Sequence, residues 1–349
     1  MSIFRVMMCP QPEKYRLKAL PNKGYGLVAT RDIQESELII AEEPLLKVKL
    51  SPEGDLVGKF CTDKREFISP ALIQVLNELA DKDLFKFYSL SDSCSAVLAQ
   101  DPDLKSGFKT NYGIIKTNSF SMDFNNQTYL TLFPTISRLN HSCQPNCNHY
   151  WSGTVFKVRA MKPVKAGEEL TISYMSPLQR ADFHSRESRR KILHEEFGFD
   201  CNCDLCHSNQ DDHDQDQNDQ DRIELLQIEQ EWVHLGKEPR KALHLAQNQL
   251  EIGIRLDLHS GLLAYIALHC VEAASCIVAN KISEAEAGAM RQTSIEYASK
   301  AQKYGNVAYG QNTPESEVFD GICNTCQNTS DSQLFCNIQN YISKLRDNI

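Results

Sequence analysis

The stretch that decides the fold is RLNHSCQPNCNHYW, residues Arg138–Trp151. It contains three asparagines, two histidines, two cysteines and a proline. It lies between the apolar stretch YLTLFPTI (129–136) and the β-like run TVFKVRAM (154–161). An ordinary turn between two strands does not need so many hydrogen-bonding groups and metal-ligand side chains. The density therefore predicts a loop with a function of its own.

Length and charge set limits around this loop. The chain has 349 residues, of which 41% are hydrophobic, so it can bury a core and is expected to form two or three domains. The formal net charge is −9, and six aspartates lie in NQDDHDQDQNDQD (209–221), which leaves −3 for the rest of the chain. No broad basic face is predicted, and direct binding of nucleic acid is not expected.

The cysteines indicate a reducing compartment. There are thirteen, an odd number, and the N-terminus MSIFRVMMCPQPEKY has neither the long apolar core nor the small-residue cleavage site of a signal peptide. We interpret the cysteines as reduced thiols and metal ligands, and expect a cytoplasmic or nuclear protein, or one in both places. The longest strongly apolar stretch, GLLAYIALHCV (261–271), is shorter than the roughly 18 residues of a membrane span, so no membrane association is expected.

The hydropathy pattern divides the chain into zones. Polar and apolar residues alternate over about 12–50, with many β-branched residues, and β signals return from 111 to about 175. Between them, residues 51–110 show helical spacing in ALIQVLNELADKDLFKFYSL, which predicts a helical insertion. ATRDIQESELII (29–40) and AMKPVKAGEELTI (160–172) resemble each other. We therefore expect two similar turn-and-strand units that pack in one β-rich domain.

The C-terminal part has a different character. The acidic tract 209–221 has no apolar residue to anchor it and is predicted to be a disordered linker. Residues 222–349 are predicted to be an all-α domain of helical hairpins, TPR-like in spacing. Two observations support it: Ser283 and Glu286 form a capping-box pattern, and one helical face carries Leu225, Ile228, Trp232 and Leu235.

A metal site is predicted in CNCDLC. Cys201, Cys203 and Cys206 are close enough in sequence for three thiolates to reach one tetrahedral Zn²⁺, but a fourth ligand is missing. A separate site made of Cys323, Cys326 and Cys336 would also lack an obvious fourth ligand. The candidates for the fourth ligand of the first site are Cys143, Cys147, His207 and the pair Cys323 and Cys326.

The order of the motifs is more informative than any one of them. NKGYGLVAT alone lacks the third glycine and the helix of a dinucleotide fingerprint. Along the chain, however, KGYGL is followed by TNSF, NHSCQPN, GEELTISY and FGFDCNCDLC. In this order the motifs resemble the SET-domain protein-lysine methyltransferases, in particular the SET-and-MYND (SMYD) branch and its fungal relatives. The resemblance covers residues 12–208 and is only architectural over the C-terminal helices.

The sequence departs from that branch in one respect. The SMYD proteins carry a MYND zinc finger in the insertion, whereas residues 51–110 offer only Cys61 and Cys94 and no histidine. A MYND finger cannot be built from two cysteines. The recruitment or DNA binding that this finger gives to its relatives is therefore not expected.

The resemblance implies a fold and its divisions. It implies an α+β protein with a β-rich, knot-like SET fold that is split by the helical insertion. The expected divisions are the two SET parts (12–50 and 111–180), the insertion (51–110), a zinc-bound post-SET segment (181–208), the acidic linker (209–221) and the helical C-terminal domain (222–349).

The resemblance also assigns roles to residues. The expected cofactor is S-adenosylmethionine (SAM), and the zinc is structural, with Cys143 as the fourth ligand beside Cys201, Cys203 and Cys206. Tyr174 would be the catalytic tyrosine, whose hydroxyl orients the amine and the methyl group. The residues expected to contact SAM are Lys23, Gly24, Tyr25 and Gly26 at the methionine end, Asn118, Asn140, His141, Tyr174, and Phe199 on the adenine.

The function implied is SAM-dependent methylation of a lysine in a histone or another protein. The expected partner is thus a protein that presents a lysine, and the chain is expected to be a monomer. The alternative is an adaptor in which a SET-like core has lost turnover and the C-terminal helices bind a partner peptide. Methylation of a small molecule is disfavoured by the narrow lysine channel of the family.

Overall fold

The computed structural model describes residues 13–50, 70–92, 109–124, 127–175, 184–207, 212–234, 238–280 and 283–348, which form an α+β protein. The strands are β1 Tyr15–Leu20, β2 Gly24–Ala29, β3 Leu38–Glu42, β4 Leu46–Lys49, β5 Ser119–Phe124, β6 Gln127–Leu132, β7 Asn140–His141, β8 Cys147–Ser152, β9 Val155–Ala160 and β10 Thr171–Ile172. The helices are α1 Pro70–Asn77, α2 Asp81–Ser89, α3 Asn111–Asn118, α4 Arg186–Phe197, α5 Asp204–His207, α6 Asp212–His234, α7 Pro239–Arg255, α8 Ser260–Ala279, α9 Glu284–Tyr309, α10 Pro314–Asn328 and α11 Asp331–Asn348.

The strands form several small sheets. β1 and β2 are an antiparallel hairpin, and β7 pairs with β10 in parallel. Two sheets of three strands have the orders β3-β9-β8 and β4-β6-β5. Parallel pairing of β7 with β10 places the start of the opening motif, Asn140 and His141, beside Thr171 and Ile172 of the GEELTISY motif. Two stretches that are distant in the sequence thus meet at one place.

The two similar turn-and-strand units pack against each other, as the sequence predicts. Ile33 and Val164 form an antiparallel bridge, with reciprocal N–H···O distances of 2.8 and 2.9 Å. The amide of Gly167 donates to the carbonyl of Ala29 at 2.8 Å. The side chains of Ile33, Val164 and Leu170 are buried in the same hydrophobic core. Burial of this shared core fixes the relative position of the two halves of the β-rich domain.

The predicted insertion is helical in the part that the structure describes. Helices α1 and α2 lie within it, and Leu72 and Phe87 are fully buried. They pack with Leu46 and Leu132 from the neighbouring sheet and with Ile114 of α3. Cys61 and Cys94, the two cysteines that argue against a MYND finger, lie outside the described residues.

The C-terminal region is all α, as predicted, and successive helices contact each other. Leu225 and Ile228 of the predicted apolar face are buried, while the side chains of Trp232 and Leu235 lie outside the described part. Ser283 caps α9 by accepting from the amide of Glu286, but the carboxylate of Glu286 pairs with Arg240 instead of closing a capping box.

Helix α8 is the apolar centre of the helical region. Among the described residues it is the helix whose length and composition would suffice to cross a membrane. Its most apolar window is 72% buried by protein, chiefly against its neighbours in the helical core. A core helix of a globular domain has the same composition, so packing accounts for its apolar surface.

The helical region is attached to the β-rich domain at the end of α9. The hydroxyl of Tyr150 in β8 donates to the carbonyl of Tyr309 at 2.8 Å, and the side-chain nitrogen of Asn148 donates to the carbonyl of Ala308 at 3.1 Å. The next residue, Gly310, has φ +87°, and a Cβ atom there would overlap the guanidinium of Arg159. Glycine is therefore required where the chain leaves α9 against β9.

The prediction of a disordered linker at 209–221 is wrong for residues 212–221, which form the first part of α6, and residues 209–211 lie outside the described residues. Composition misses the reason, which is that aspartates of this tract make tertiary contacts. The carboxylate of Asp219 accepts from the amide of Arg186 at 2.9 and 3.0 Å, at the start of α4. Asp221 is 4% exposed and forms a two-pronged ion pair with Arg255, at 2.8 and 2.9 Å. The tract joins the post-SET segment to the helical domain.

Asp221→Asn is expected to lower the free energy of unfolding by about 1–2 kcal/mol, because a buried charge-assisted hydrogen bond is lost. The bond to Arg255 lowers the pKa of Asp221. A lowered pKa in the folded state adds stability above the ordinary aspartate pKa of about 3.9, and that stability is lost as the pH falls through the folded-state pKa. The measurement is urea unfolding of wild type and variant at pH 7 and near pH 3, where the difference should shrink.

The control is Glu231→Gln on the same helix, whose ion pair with Lys241 is half exposed. It should change stability by less than about 0.5 kcal/mol. Equal stability of Asp221→Asn and wild type at pH 7 would contradict the attachment of the acidic tract.

Candidate active site and metal centre

Four buried cysteines converge at the end of the opening motif. The Sγ atoms of Cys143, Cys201, Cys203 and Cys206 all lie within 4.8 Å of one another. Cys143 Sγ lies 3.9 Å from Cys201 Sγ and 3.5 Å from Cys206 Sγ. A tetrahedral zinc with Zn–S bonds of about 2.3 Å requires S···S separations of about 3.8 Å. The four thiols thus have the number, burial and spacing of a structural zinc site.

The local fold explains how three of them meet. Cys201 and Cys203 follow α4, and Cys206 lies in the short helix α5. The amides of Cys206 and His207 both donate to the carbonyl of Cys203 at 2.8 Å, which turns the chain so that Cys206 returns over Cys203. The turn leaves one side of the cluster to be closed by another part of the chain.

Cys143 closes that side. Of the other fourth-ligand candidates, Cys147 is buried in the β core and its Sγ contacts Asn146 Oδ1 at 3.3 Å, whereas His207 is exposed. Cys323 and Cys326 lie in the core of the helical region. The structure thus brings Cys143, and none of these alternatives, to the three post-SET thiols in the part of the chain it describes.

The titration of the cluster also suits a cation. Hydrogen bonding to Cys201 and the other two sulfurs raises the pKa of Cys143 far above that of a free thiol. The pKa of Cys203 is lowered, because the thiols of Cys143, Cys201 and Cys206 donate to its sulfur. The four sulfurs are therefore close enough to form hydrogen bonds with one another through their thiol protons. Zn²⁺ would replace those protons and stabilise all four as thiolates.

The ring of His141 joins this cluster to Tyr174. Nδ1 of His141 accepts from the backbone amide of Tyr174 at 3.0 Å, so Nδ1 carries no proton. The proton of the neutral ring is therefore on Nε2, which lies 3.3 Å from Cys143 Sγ and donates to it. Burial lowers the pKa of His141 to about 4, so the ring is neutral at neutral pH. One imidazole thus connects a cluster thiol with the backbone of Tyr174.

Tyr174 lies among aromatic rings. Its ring centroid is 5.5 Å from those of His141 and Phe197 and 6.2 Å from that of Phe199. Its hydroxyl donates to the carbonyl of Leu139 at 2.8 Å. Burial, and secondly the charge of Glu169, raises the pKa of Tyr174, so the hydroxyl keeps its proton at neutral pH. The hydrogen bond to Leu139 fixes the direction of that proton and leaves the oxygen as an acceptor.

The glycine motif lies beside Asn140, the residue before His141. Gly24 has φ +70°, in the left-handed region, where the β1–β2 hairpin turns. At Gly26 a Cβ atom would lie 2.7 Å from Asn140 Nδ2 and 3.0 Å from Glu169 Oε1. Only glycine lets the hairpin approach these two side chains so closely. Tyr25, between the glycines, is 57% exposed, and its carbonyl lies 3.4 Å from Asn140 Nδ2.

Lys23 and Asn140 meet at a carboxylate that the sequence reasoning missed. Lys23 Nζ lies 2.8 Å from Glu169 Oε2, and Asn140 Nδ2 donates to Glu169 Oε1 at 2.8 Å. The available sequence signal was an acidic residue in GEELTISY, in a unit similar to the one that follows the glycine motif. No spacing rule pairs it with Lys23, because the pairing depends on the crossing of β2 with the segment before β10.

Asn118 occupies a different position from the other predicted residues. It is buried at the end of α3, and its side-chain amide nitrogen donates to the carbonyls of Ser91 and Ile114 at 2.7 and 2.6 Å. Its own carbonyl accepts from the hydroxyl of Ser137 at 2.8 Å. These bonds hold the segment that leads into Asn140. A contact between Asn118 and a cofactor stays a prediction.

Comparison with known proteins assigns this fold to a class. The SET domain family model matches residues 24–175, which contain the glycine motif, the NHSC motif and Tyr174. Residues 24–175 are therefore similar to a SET domain, as the order of the motifs in the sequence predicts.

Proteins similar to the chain are named histone-lysine N-methyltransferases. It is 29% identical over 199 residues to histone-lysine N-methyltransferase set5 of Schizosaccharomyces pombe, which covers 56% of this chain and 51% of that protein. It is 41% identical over 83 residues to histone-lysine N-methyltransferase SMYD3 of Homo sapiens, which covers 24% of this chain and 18% of that protein. The chain thus spans about half or less of the length of these relatives.

A solved structure aligns more widely but less closely. The SET domain of LSMT bound to lysine and AdoHcy covers 97% of this chain and 85% of that chain, at 14% identity and a TM-score of 0.31. This TM-score is too low to establish a common arrangement over the whole length.

The thiol cluster yields a testable prediction. Cys143→Ser is expected to retain far less than the one zinc per chain predicted for the wild type, because one of four thiolate ligands is lost. Zinc per folded chain, measured by mass spectrometry after dialysis against a weak chelator, gives the result.

Cys147→Ser is the matched control, since this thiol is equally buried on the same loop but outside the cluster. It should keep its zinc. Full zinc content in Cys143→Ser, or none in the wild type, would remove the metal assignment.

Proposed function

We propose that the protein is a SAM-dependent protein-lysine N-methyltransferase. One observation carries the proposal: residues that the SET resemblance assigns to cofactor binding and catalysis are dispersed in the sequence but lie around one place in the fold. The residues that converge there are Lys23, Gly24, Tyr25, Gly26, Asn140, His141, Tyr174 and Phe199.

The residues present fit SAM. Gly26 brings the backbone of the hairpin against the polar side chains of Asn140 and Glu169, and such polar surroundings suit the charged methionine end of the cofactor. Phe199, 6.0 Å from the ring of His141, offers an aromatic face for a base. When bound, SAM supplies an electrophilic methyl group on a sulfonium.

The pocket around Tyr174 suits an amine that must lose its proton. A free lysine has a pKa of about 10.4, so less than about 0.1% is neutral at pH 7. The rings of Phe197 and Phe199 lie beside the ring of Tyr174. Their apolar surface would disfavour the ammonium form of a lysine that reaches the Tyr174 hydroxyl. The Tyr174 oxygen, fixed by its bond to Leu139, can accept a hydrogen bond from the amine and hold its lone pair toward the methyl group.

The thiol cluster has a structural role in this proposal. Zn²⁺ held by Cys143, Cys201, Cys203 and Cys206 would tie the post-SET segment, which carries Phe199, to the loop that carries His141. The contact of His141 with Tyr174 then extends that order to the catalytic residue. The metal would supply rigidity and no reaction step.

The proposed substrate is a lysine in a protein, and the names of the relatives, histone-lysine methyltransferases, put histones among the candidates. Such substrates imply work in the nucleus, the cytoplasm or both. We further propose that the chain acts as a monomer and that its C-terminal helices are the part that would bind a partner peptide. Binding of nucleic acid or membrane is not part of the proposal.

Tyr174→Phe is expected to lower turnover by about 10²- to 10³-fold, because a positioned hydrogen-bonding group is lost in the transition state. The affinity for SAM should change by less than about tenfold. The measurements are SAM binding by calorimetry and transfer of labelled methyl groups to proteins of a cell lysate, followed by mass spectrometry of the marked lysines.

The matched control is Tyr150→Phe. Its hydroxyl also donates to a backbone carbonyl at 2.8 Å, but it joins β8 to α9 and lies outside the site. Methyl transfer per folded chain should persist in this variant. A wild type that binds SAM but marks no protein would favour the adaptor, and equal turnover of wild type and Tyr174→Phe would show that Tyr174 is not catalytic.

A further inference from the structure

Arg189 in α4 is a fully buried cation whose hydrogen bonds are incomplete. Its side chain is 0% exposed, and its Nη1 donates to the carbonyl of His184 at 2.5 Å. In the part of the chain that the structure describes, no group accepts from its Nε or its Nη2. The carboxylate of Asp219 lies 3.7 Å from Nη1, and both of its oxygens already accept from the amide of Arg186. A buried charge that is so poorly paired is costly, so a further partner is expected.

The thiol cluster lies on the same side of α4 as Arg189. Leu193, four residues further along the helix, is fully buried in a hydrophobic cluster that contains all four cysteines. Residues four positions apart share one face of a helix, so Arg189 is on the face that packs against the thiols. The charge of Arg189 also reaches the ring of His141, whose Nε2 contacts Cys143. Burial lowers the pKa of His141, and the charge of Arg189 contributes to this lowering.

The charge of a metal-loaded cluster accounts for the arginine. The two positive charges of Zn²⁺ and the four negative charges of the thiolates leave a net charge of −2, and the four cysteines are at most 8% exposed. A buried dianion is unfavourable unless a positive charge lies near it. We propose that the guanidinium of Arg189 is the counter-charge of this dianion and acts on it through space. The inference goes beyond the proposed function, since it concerns metal binding and needs neither SAM nor turnover.

An ion pair with Asp219 is the alternative role for Arg189, and the effect of removing each charge separates the two. If Arg189 only joins α4 to α6 through Asp219, removing either charge loosens the same contact, and both changes weaken zinc binding alike. If Arg189 compensates the thiolates, Asp219 is a negative charge that competes with them for it. Asp219→Asn removes that competition and keeps an oxygen to accept from the amide of Arg186. This variant should then bind zinc at least as tightly as wild type.

The zinc affinity of the full chain, measured by competition with a chelator of known affinity, tests the proposal. Arg189→Gln is expected to bind zinc at least about tenfold more weakly than wild type, as is typical when a residue that supports metal ligands from outside is lost. Arg189→Lys retains the charge and should recover most of this affinity. Arg190→Gln is the matched control, since Arg190 is the next residue on α4 but is exposed to solvent. It should bind zinc as wild type does.

Equal zinc affinity of Arg189→Gln and wild type would overturn the proposal. Zinc binding by Arg189→Lys that is as weak as that of Arg189→Gln would do the same, because the charge would then not matter. If circular dichroism shows that Arg189→Gln does not fold, Asp219→Asn decides: weaker zinc binding than wild type overturns the proposal, and equal or tighter binding supports it. A wild type that binds no zinc would overturn both the metal assignment and this inference. A wild type that holds zinc but marks no protein would overturn the proposed function alone.

Discussion

The double contact of His141 is the interaction on which the site depends. Its ring donates to Cys143 at one nitrogen and accepts from the backbone of Tyr174 at the other. Both contacts require the neutral ring with its proton on Nε2, and burial favours the neutral ring. The order of the thiol cluster and the position of Tyr174 are therefore linked through one side chain. This explains why the NHSC motif combines Asn140, a histidine and a cysteine of the thiol cluster within four residues.

The fold brings distant motifs to this ring with short strands and close backbone approach. β7 pairs in parallel with β10, which places the NHSC motif beside GEELTISY, and the β2 hairpin approaches both because Gly26 has no side chain. The segment after α4 supplies three thiols and Phe199 to the same place. The helical region contacts this assembly through the hydrogen bond from Tyr150 in β8 to Tyr309 in α9 and through the aspartates of α6. The strands and the segment after α4 are short, so the arrangement of the site depends on the contacts between them.

Much of this could be predicted from the sequence. The order of five motifs indicates the SET fold, and helical periodicity with a capping pattern indicates the helical C-terminal region, because each of these patterns is local in sequence. The contacts of Glu169 with Lys23 and Asn140, and the packing of Asp219 and Asp221, could not be predicted. Each of these acidic residues owes its role to a cation or an amide that is distant in sequence: Lys23 for Glu169, and Arg186 and Arg255 for the two aspartates. Composition describes the tract 209–221 as polar and does not show that two of its charges are paired.

We expect the thiol cluster to order the proposed cofactor site through His141. The most direct measurement is the affinity for S-adenosylhomocysteine, by calorimetry, of one sample before zinc removal by a chelator, after removal, and after zinc is returned. We expect the affinity for S-adenosylhomocysteine to fall at least tenfold when zinc is removed and to recover when zinc is restored. Without zinc the loop that carries His141 would be less ordered, and the ligand would have to order it on binding. Circular dichroism shows whether the chain stays folded throughout. An unchanged affinity in folded, zinc-free protein would show that the thiol cluster does not order the cofactor site.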